Sequence, residues 1–356
     1  MRVRIGDEAK EFRTVWMESH IVKMINQSKL PHVFEIYTSF NHKQTAEAIK
    51  TMIVRGAPAI GAAAAYGMAQ ACMEASNVEF DEYVKKASET LRNTRPTAYN
   101  LFYAIDRVLK AIERGDSIKE KKVLAIEEAN RIAEEDVGIC RKIGEHGNKL
   151  IKDGYRILTH CNAGALATVD YGTALAPIRF AHYEGKRIFV FVDETRPRCQ
   201  GSRLTAWELL QEGIDHAIIA DNAAGYYMKK GEINICIVGG DRVVADGSVA
   251  NKIGTYEKAV LANENKIPFY VALPTSTIDI NIKCGKNIPI EERDEEEVTH
   301  IWGLSKGELK KVRVPPKGSH AMNPAFDVTP ARYITGFITE RGIKKPKDIK
   351  KLFKYL

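Results

Sequence analysis

The chain has 356 residues, 44% of them hydrophobic and 28% charged, with a net charge of +7. This is the composition of a globular protein rather than a disordered or fibrous one, and the length exceeds what one compact core usually holds. The lysine-rich end (Lys344 to Lys354) and the acidic run Glu291 to Glu297 read as solvated surface, because a nucleic-acid binder would show a basic face interleaved with aromatics.

Met1-Arg-Val-Arg-Ile-Gly-Asp7 is charged and leads into no apolar stretch of the kind that makes a signal peptide, so a cytoplasmic location is expected. Phe12 to Met17 and Val33 to Tyr37 have the texture of short strands. From Lys43 to about Lys152 the apolar spacing becomes helical. It is clearest over Phe80 to Arg92, Leu101 to Arg114 and Lys119 to Gly147, with Gly115-Asp-Ser117 as a break. The Ala/Gly-rich run Ala57 to Ala71 is shorter than the roughly 20 residues needed to span a bilayer.

Beyond Asp153-Gly154 short apolar runs alternate with helical stretches. They lie at Arg156 to Thr159, Arg187 to Val192, His216 to Ala220, Ile233 to Val238, Pro268 to Leu273 and Tyr333 to Thr339. That alternation predicts an α/β fold: a mostly parallel, Rossmann-like sheet over 154–356, preceded by a small α+β, mainly helical domain over 1–153.

Ligands of an open α/β sheet bind outside the carboxyl ends of its strands, which draws attention to two positions. Cys161 follows the first apolar run and precedes Asn162-Ala-Gly-Ala165, where a helix is expected to begin. A buried cysteine is commonly just a small hydrophobe, but a helix N-terminus stabilises a thiolate. His160 would face the other way along the strand and reads as structural. Asp241 follows Gly239-Gly240 at the end of another run. Held in an apolar cleft it would serve as a general acid. Asp246-Gly247 reads as a plain turn.

Two segments resemble anion cradles. Arg55-Gly-Ala-Pro-Ala-Ile-Gly61 opens a helix with Pro58 near its start, and it serves equally as a plain helix start. Asn251-Lys252 precedes Gly254-Thr255 and a further helix. Thr94-Arg95-Pro96-Thr97 adds a second arginine, and Gln200, in the polar segment after Asp193, suits a sugar hydroxyl. No G-x-G-x-x-G follows a strand and no phosphate-loop lysine motif occurs, so neither a dinucleotide nor a nucleoside triphosphate is indicated. The six cysteines (72, 140, 161, 199, 236, 284) are scattered without a C-x-x-C pair, so no metal and no cofactor are expected; a disulfide is left open.

In combination these segments resemble the methylthioribose-1-phosphate isomerases of methionine salvage. The resemblance runs from about Trp16 and rests on Arg55 to Gly61, Thr94 to Thr97, His160 to Ala165, Glu194 to Pro197, Gln200 to Ala206, Asp221 to Ala224, Gly239 to Arg242, Val249 to Tyr256 and Asn323 to Pro330. That family is related to the ribose-1,5-bisphosphate isomerases and to regulatory subunits of the nucleotide-exchange complex of translation initiation. It implies a homodimer, a catalytic cysteine and aspartate matching Cys161 and Asp241, and substrate contacts from Arg55, Gly56, Ala57, Arg95, Gln200, Asn251 and Lys252.

The implied reaction opens an aldose locked as its 1-phosphate and moves hydrogen from C2 to C1. Asp241 would protonate the ring oxygen. Cys161 would take either the C2 proton, through an enol phosphate, or the C2 hydroxyl proton while hydride shifts. Ribose 1,5-bisphosphate and 5-deoxyribose 1-phosphate are the alternative substrates, and the small residues beside Cys161 favour an apolar methylthio tail. A non-catalytic regulatory role is the alternative of a different class.

Overall fold

The structure, a computed structural model, describes residues 1–95 and 99–353, with side chains as far as Lys350. Pro96 and Thr97, part of the second arginine segment, lie outside the described residues. The chain forms two compact units, Met1–Gly138 with Ala165–Gly172, and Ile139–Gly164 with Thr173–Leu356. The division thus falls within a long helix, upstream of residue 153.

The first unit holds strands β1 (Arg2–Ile5), β2 (Glu8–Glu11), β3 (Val15–Glu18), β4 (Ile21–Ile25) and β5 (Ile36–Ser39), then helices α1 (His42–Lys50), α2 (Ala57–Glu74), α3 (Phe80–Arg92), α4 (Tyr99–Ile112) and most of α5 (Ile118–Gly147). β1 and β2 form an antiparallel hairpin, and β3, β4 and β5 an antiparallel sheet. α2 is buried on nearly every side from Ala59 to Cys72, as a helix that is apolar all round must be. Its alanines let α1, α3 and α4 pack directly against it. On α3 the buried residues Phe80, Val84, Ala87 and Leu91 trace one helical stripe. Residues 165–172 join this unit through backbone bonds: Thr14 N–H donates to Val169 O at 2.9 Å, and Val169 N–H to the Asp136 carboxylate at 2.6 Å.

The second unit runs β6 (Arg156–Thr159), α6 (Leu175–Tyr183), β7 (Phe189–Asp193), α7 (Ala206–Glu212), β8 (His216–Ile219), α8 (Ala224–Lys229), β9 (Ile235–Val238), β10 (Arg242–Val244), β11 (Val249–Lys252), α9 (Thr255–Glu264), β12 (Phe269–Ala272), β13 (Ile278–Asp279), α10 (Glu296–Thr299), β14 (His300–Ser305), β15 (Glu308–Arg313), β16 (Phe326–Thr329), β17 (Gly336–Thr339) and β18 (Gly342–Lys344). Its main sheet has the order β18-β17-β12-β9-β6-β7-β8, parallel except for β18. Each apolar run expected beyond Gly154 supplies one parallel strand.

Counted from β6, the parallel strands follow the doubly wound order in which the chain turns back at its first strand. β7 and β8 lie to one side of β6, and β9, β12 and β17 to the other. A smaller sheet, β13-β10-β11-β16, and the hairpin β14-β15 were not visible in the sequence pattern. The Asp246-Gly247 turn joins β10 to β11, with the Asp246 carboxylate accepting Ser248 N–H at 2.8 Å. None of the six cysteines is in a disulfide. Among the described residues no helix is long and apolar enough to cross a membrane.

Candidate active site

Cys161 and Asp241 leave the carboxyl ends of β6 and β9, neighbouring parallel strands paired at Ile157–Ile235 and Leu158–Cys236. The reversal of strand order falls between these two strands, where open α/β sheets bind their ligands. The two turns touch. A Cβ built on Gly239 would lie 2.7 Å from the Ala163 methyl, so only glycine lets the Asp241 turn settle against the Cys161 turn.

The Cys161 turn is strained and clamped. Cys161 has φ +64°, and so does the β-branched Thr195 that holds it. Cys161 N–H donates to Thr195 Oγ1 at 2.8 Å, and Cys161 O accepts from Thr205 Oγ1 at 2.7 Å. Such conformations cost of order 1–3 kcal/mol each and persist only where their surroundings fix them. Asn162 donates to Glu208 at 2.9 Å, and Glu208 pairs with the buried Arg179 at 2.6 Å.

One expectation about this turn fails. No α-helix starts behind Cys161: residues Ala165–Ala167 make a single 3-10 turn and α6 begins only at Leu175. Gly164 packs on Glu208, where an added Cβ would meet the carboxylate at 2.3 Å, while Ala163 and Cys161 are half-buried.

Asp241 is exposed, not enclosed in the apolar cleft expected of it. Its N–H donates to Ala250 O at 2.9 Å, which ties it to β11 beside Asn251 and Lys252. Lys252 is 7% exposed, donates to Ala325 O at 2.9 Å and lies 4.8 Å from the Phe326 ring centroid. Burial holds its pKa below the usual lysine range, while negative charge on Cys161 and Asp241 acts in the opposite sense. Lys252 therefore lies within electrostatic reach of both Cys161 and Asp241.

The helix behind this lysine is not the open anion cradle its sequence suggested. Asp327 fills the N-terminus of α9, accepting Gly254 N–H at 2.7 Å and Tyr256 N–H at 3.0 Å. Asn251 and Lys252 are left to act through their side chains. Asn251 Nδ2 donates to Thr255 Oγ1 at 2.9 Å, which directs its amide.

Gln200 is 8% exposed, and among the described residues its Oε1 has no hydrogen-bond partner. It stands just before a five-residue π-helical turn, Gly201–Thr205, a local irregularity frequent at functional sites. The acidic run is only partly solvated. Glu297 pairs with Arg198 at 2.7 Å and with Arg293 at 3.3 Å, and its charge reaches Lys252. A cavity of about 230 Å³ opens beside it, lined also by Arg198, Cys199, Arg203 and Trp302.

Among the described residues, His160, Asp193 and Asp221 bring potential metal-ligand atoms within 4.8 Å of one another. Protein partners hold His160 Nδ1, Asp193 Oδ2 and Asp221, whereas Asp193 Oδ1 is buried without a hydrogen-bond partner among the described residues. His160 Nδ1 lies 3.0 Å from Asp193 Oδ2, and Asp221 accepts Thr195 and Arg196 N–H at 2.7 Å each.

Arg55, Gly56, Ala57 and Arg95 belong to the first unit, whereas Cys161, Gln200, Asp241, Asn251 and Lys252 belong to the second. Gly56, at φ +92°, lets the start of α2 approach Ala167: a Cβ there would lie 2.4 Å from Ala167 O. Arg55 Nε donates to Gln27 at 3.1 Å, and Gln27 donates to Leu166 O at 2.7 Å. Arg95 is half-buried.

Residues 53–346 match the initiation factor 2 subunit family. A methylthioribose-1-phosphate isomerase from Geotalea uraniireducens is 53% identical over 339 residues, which is 93% of this chain and 95% of that one. The chain belongs to this family, among its methylthioribose-1-phosphate isomerases. The crystal structure of 5-methylthioribose 1-phosphate isomerase from Pyrococcus horikoshii is similar to it with a TM-score of 0.89 and 46% identity, over 98% of this chain and 97% of that one. That of translation initiation factor eIF-2B, subunit delta, from A. fulgidus is similar with a TM-score of 0.84 and 45% identity, over 96% and 100%.

Proposed function

We propose that this protein is an aldose–ketose isomerase that converts 5-methylthioribose 1-phosphate to 5-methylthioribulose 1-phosphate in methionine salvage. The observation that carries the reading is a thiol and a carboxyl leaving adjacent strands at the reversal of strand order, with the buried Lys252 on the strand that Asp241 N–H bonds.

In the proposed reaction a proton passes from the Asp241 carboxyl to the ring oxygen as the C1–O ring bond breaks. The Cys161 thiolate, favoured by Lys252, takes the C2 hydroxyl proton while hydride passes from C2 to C1. This leaves a ketone at C2 and the phosphate on a C1 methylene. In the enol route the thiolate takes the C2 proton instead. A C2-deuterated substrate separates the two: label kept at C1 marks the hydride shift, and label lost to water marks the enol.

Asn251 and Lys252 would hold phosphate oxygens. A sugar hydroxyl donating to Gln200 Oε1 would satisfy an acceptor that otherwise costs about 1–3 kcal/mol to bury. Arg55, Gly56, Ala57 and Arg95 are proposed as further phosphate contacts on the resemblance alone. Preference for the methylthio sugar over ribose 1,5-bisphosphate rests on the relatives. Side-by-side turnover of methylthioribose 1-phosphate, 5-deoxyribose 1-phosphate and ribose 1,5-bisphosphate tests it: highest kcat/KM on the first is expected, and on either other substrate the assignment is lost.

The relative from A. fulgidus supports a second reading, a regulatory role in translation initiation. Such a role has no use for the clamped Cys161 turn, and stoichiometric capture of an initiation factor without isomerase turnover would favour it. We propose a homodimer and a cytoplasmic location as well. Ile218 on the edge strand β8 is 51% exposed, and Leu210 and Tyr226 on α7 and α8 are also exposed, an apolar surface suited to a second copy. Six cysteines outside any disulfide suit a reducing compartment.

A further inference from the structure

We infer that His160 is a positioning residue that ties the Cys161 turn to the Asn251–Lys252 turn, and so sets the grip on the substrate's phosphate. The inference rests on the sugar-phosphate reading above. His160 directly precedes Cys161 and its side chain is 1% exposed. Nε2 lies 2.8 Å from Ile253 O, and because a carbonyl only accepts, that nitrogen carries a hydrogen. Nδ1 faces Asp193 Oδ2 at 3.0 Å, so a proton is shared there, with Lys258 Nζ 3.8 Å from the same oxygen. Asp193 and Lys258 are wholly buried, which fixes the ring from behind.

The ring also lies against the backbone it bonds. Gly254 has φ +98°, and a Cβ there would come within 3.0 Å of His160 Cε1. Ile253 and Gly254 follow Lys252 directly, and the amides at the start of α9 are already committed to Asp327. The turn that aims Asn251 and Lys252 is therefore held on one side by Asp327 and on the other by His160. No contact between His160 and substrate is needed. The imidazole aligns the phosphate grip with the thiol by bonding the chain between them.

Two substitutions separate the ring's two bonds. In His160→Gln the amide nitrogen reaches the Nε2 position and keeps the bond to Ile253 O. In His160→Asn the shorter amide keeps Asp193 and loses Ile253. Both are compared with wild type and Lys252→Met for KM on methylthioribose 1-phosphate and for competitive inhibition by inorganic phosphate. His160→Gln is expected within about threefold of wild type. His160→Asn should weaken both by about tenfold, the usual scale for one lost hydrogen bond, with kcat falling less.

Equal behaviour of the two His160 variants overturns the inference. If Lys252→Met fails to weaken phosphate inhibition, the sugar-phosphate site itself has been misassigned and the inference falls with it. If Lys252→Met weakens it and His160→Asn does not, only the role of His160 is lost. Should neither His160 variant fold, Asp193→Asn decides, since its amide can donate to Nδ1 and leave the Ile253 bond in place. Phosphate inhibition within about threefold of wild type supports the role, and a tenfold or larger loss refutes it.

Discussion

Gly239 rests on Ala163, with space for no side chain between them: an added Cβ would stand 2.7 Å from the alanine methyl. Pairing of β6 with β9 sets the two strand ends side by side, and this contact lets the turns beyond them close on each other. Gly239→Ala is expected to lower turnover on the order of 10²-fold, as small displacements of reacting groups do, with little loss of substrate affinity. Removing the opposing methyl should restore the fit, so Ala163→Gly combined with Gly239→Ala should recover most of the lost kcat. Steady-state kinetics of the double variant checks this, and a double variant no better than Gly239→Ala refutes the contact's role.

Lys252 is buried within electrostatic reach of both Cys161 and Asp241. Methionine fills a similar volume without charge. Lys252→Met should keep the fold, because its ammonium makes one backbone bond, to Ala325 O, and otherwise lies over the Phe326 ring. It should raise KM on the order of 10–100-fold, the scale of a lost charge-assisted hydrogen bond to phosphate. Alkylation of Cys161 by iodoacetamide should slow as well, since the thiolate loses its neighbouring cation. Unchanged KM and alkylation would remove Lys252 from the site.

Burial pushes Asp136 up to about 7, with Val169 N–H pulling it down and Asp170 adding to the rise. A carboxyl whose folded pKa is raised contributes stability that is fully present below its unfolded pKa and is lost as the pH rises through the folded value. The loss therefore falls between roughly pH 4, where an unfolded aspartate titrates, and pH 7. Asp136→Asn, which does not ionise, should gain on wild type in thermal unfolding as the pH is raised from 5 to 8. A difference in Tm that stays constant over that range contradicts the raised pKa.

Much of this fold is written in local pattern. Phe80–Arg92 is a helix with the bounds its apolar spacing suggests, and the runs beginning at Arg156, Arg187, His216, Ile233, Pro268 and Tyr333 each supply a parallel strand of one sheet. The smaller sheet was illegible because its strands are two to four residues long, too short to show a period. The β14–β15 hairpin exposes Trp302, Leu304 and Val312, so no face alternates cleanly into a core.

The candidate site divides in the same way. Cys161 and Asp241 stand at strand ends that local sequence reveals. What surrounds them comes from far along the chain: Asp327 reaches Gly254 from 73 residues away, and Glu208 reaches Asn162 from 46. Asp327 occupies the helix start that local reading assigned to an anion. Glycines and alanines announce close approach without saying what approaches.

The central claim is that Cys161 and Asp241 act on one bound sugar phosphate. The direct test is to titrate methylthioribose 1-phosphate into Cys161→Ala and Asp241→Asn by calorimetry, and to follow ketose formation in the same preparations. Substrate binding within about threefold of wild type, with turnover reduced on the order of 10²-fold or more in each, is the predicted result. Turnover close to wild type in either variant contradicts the account.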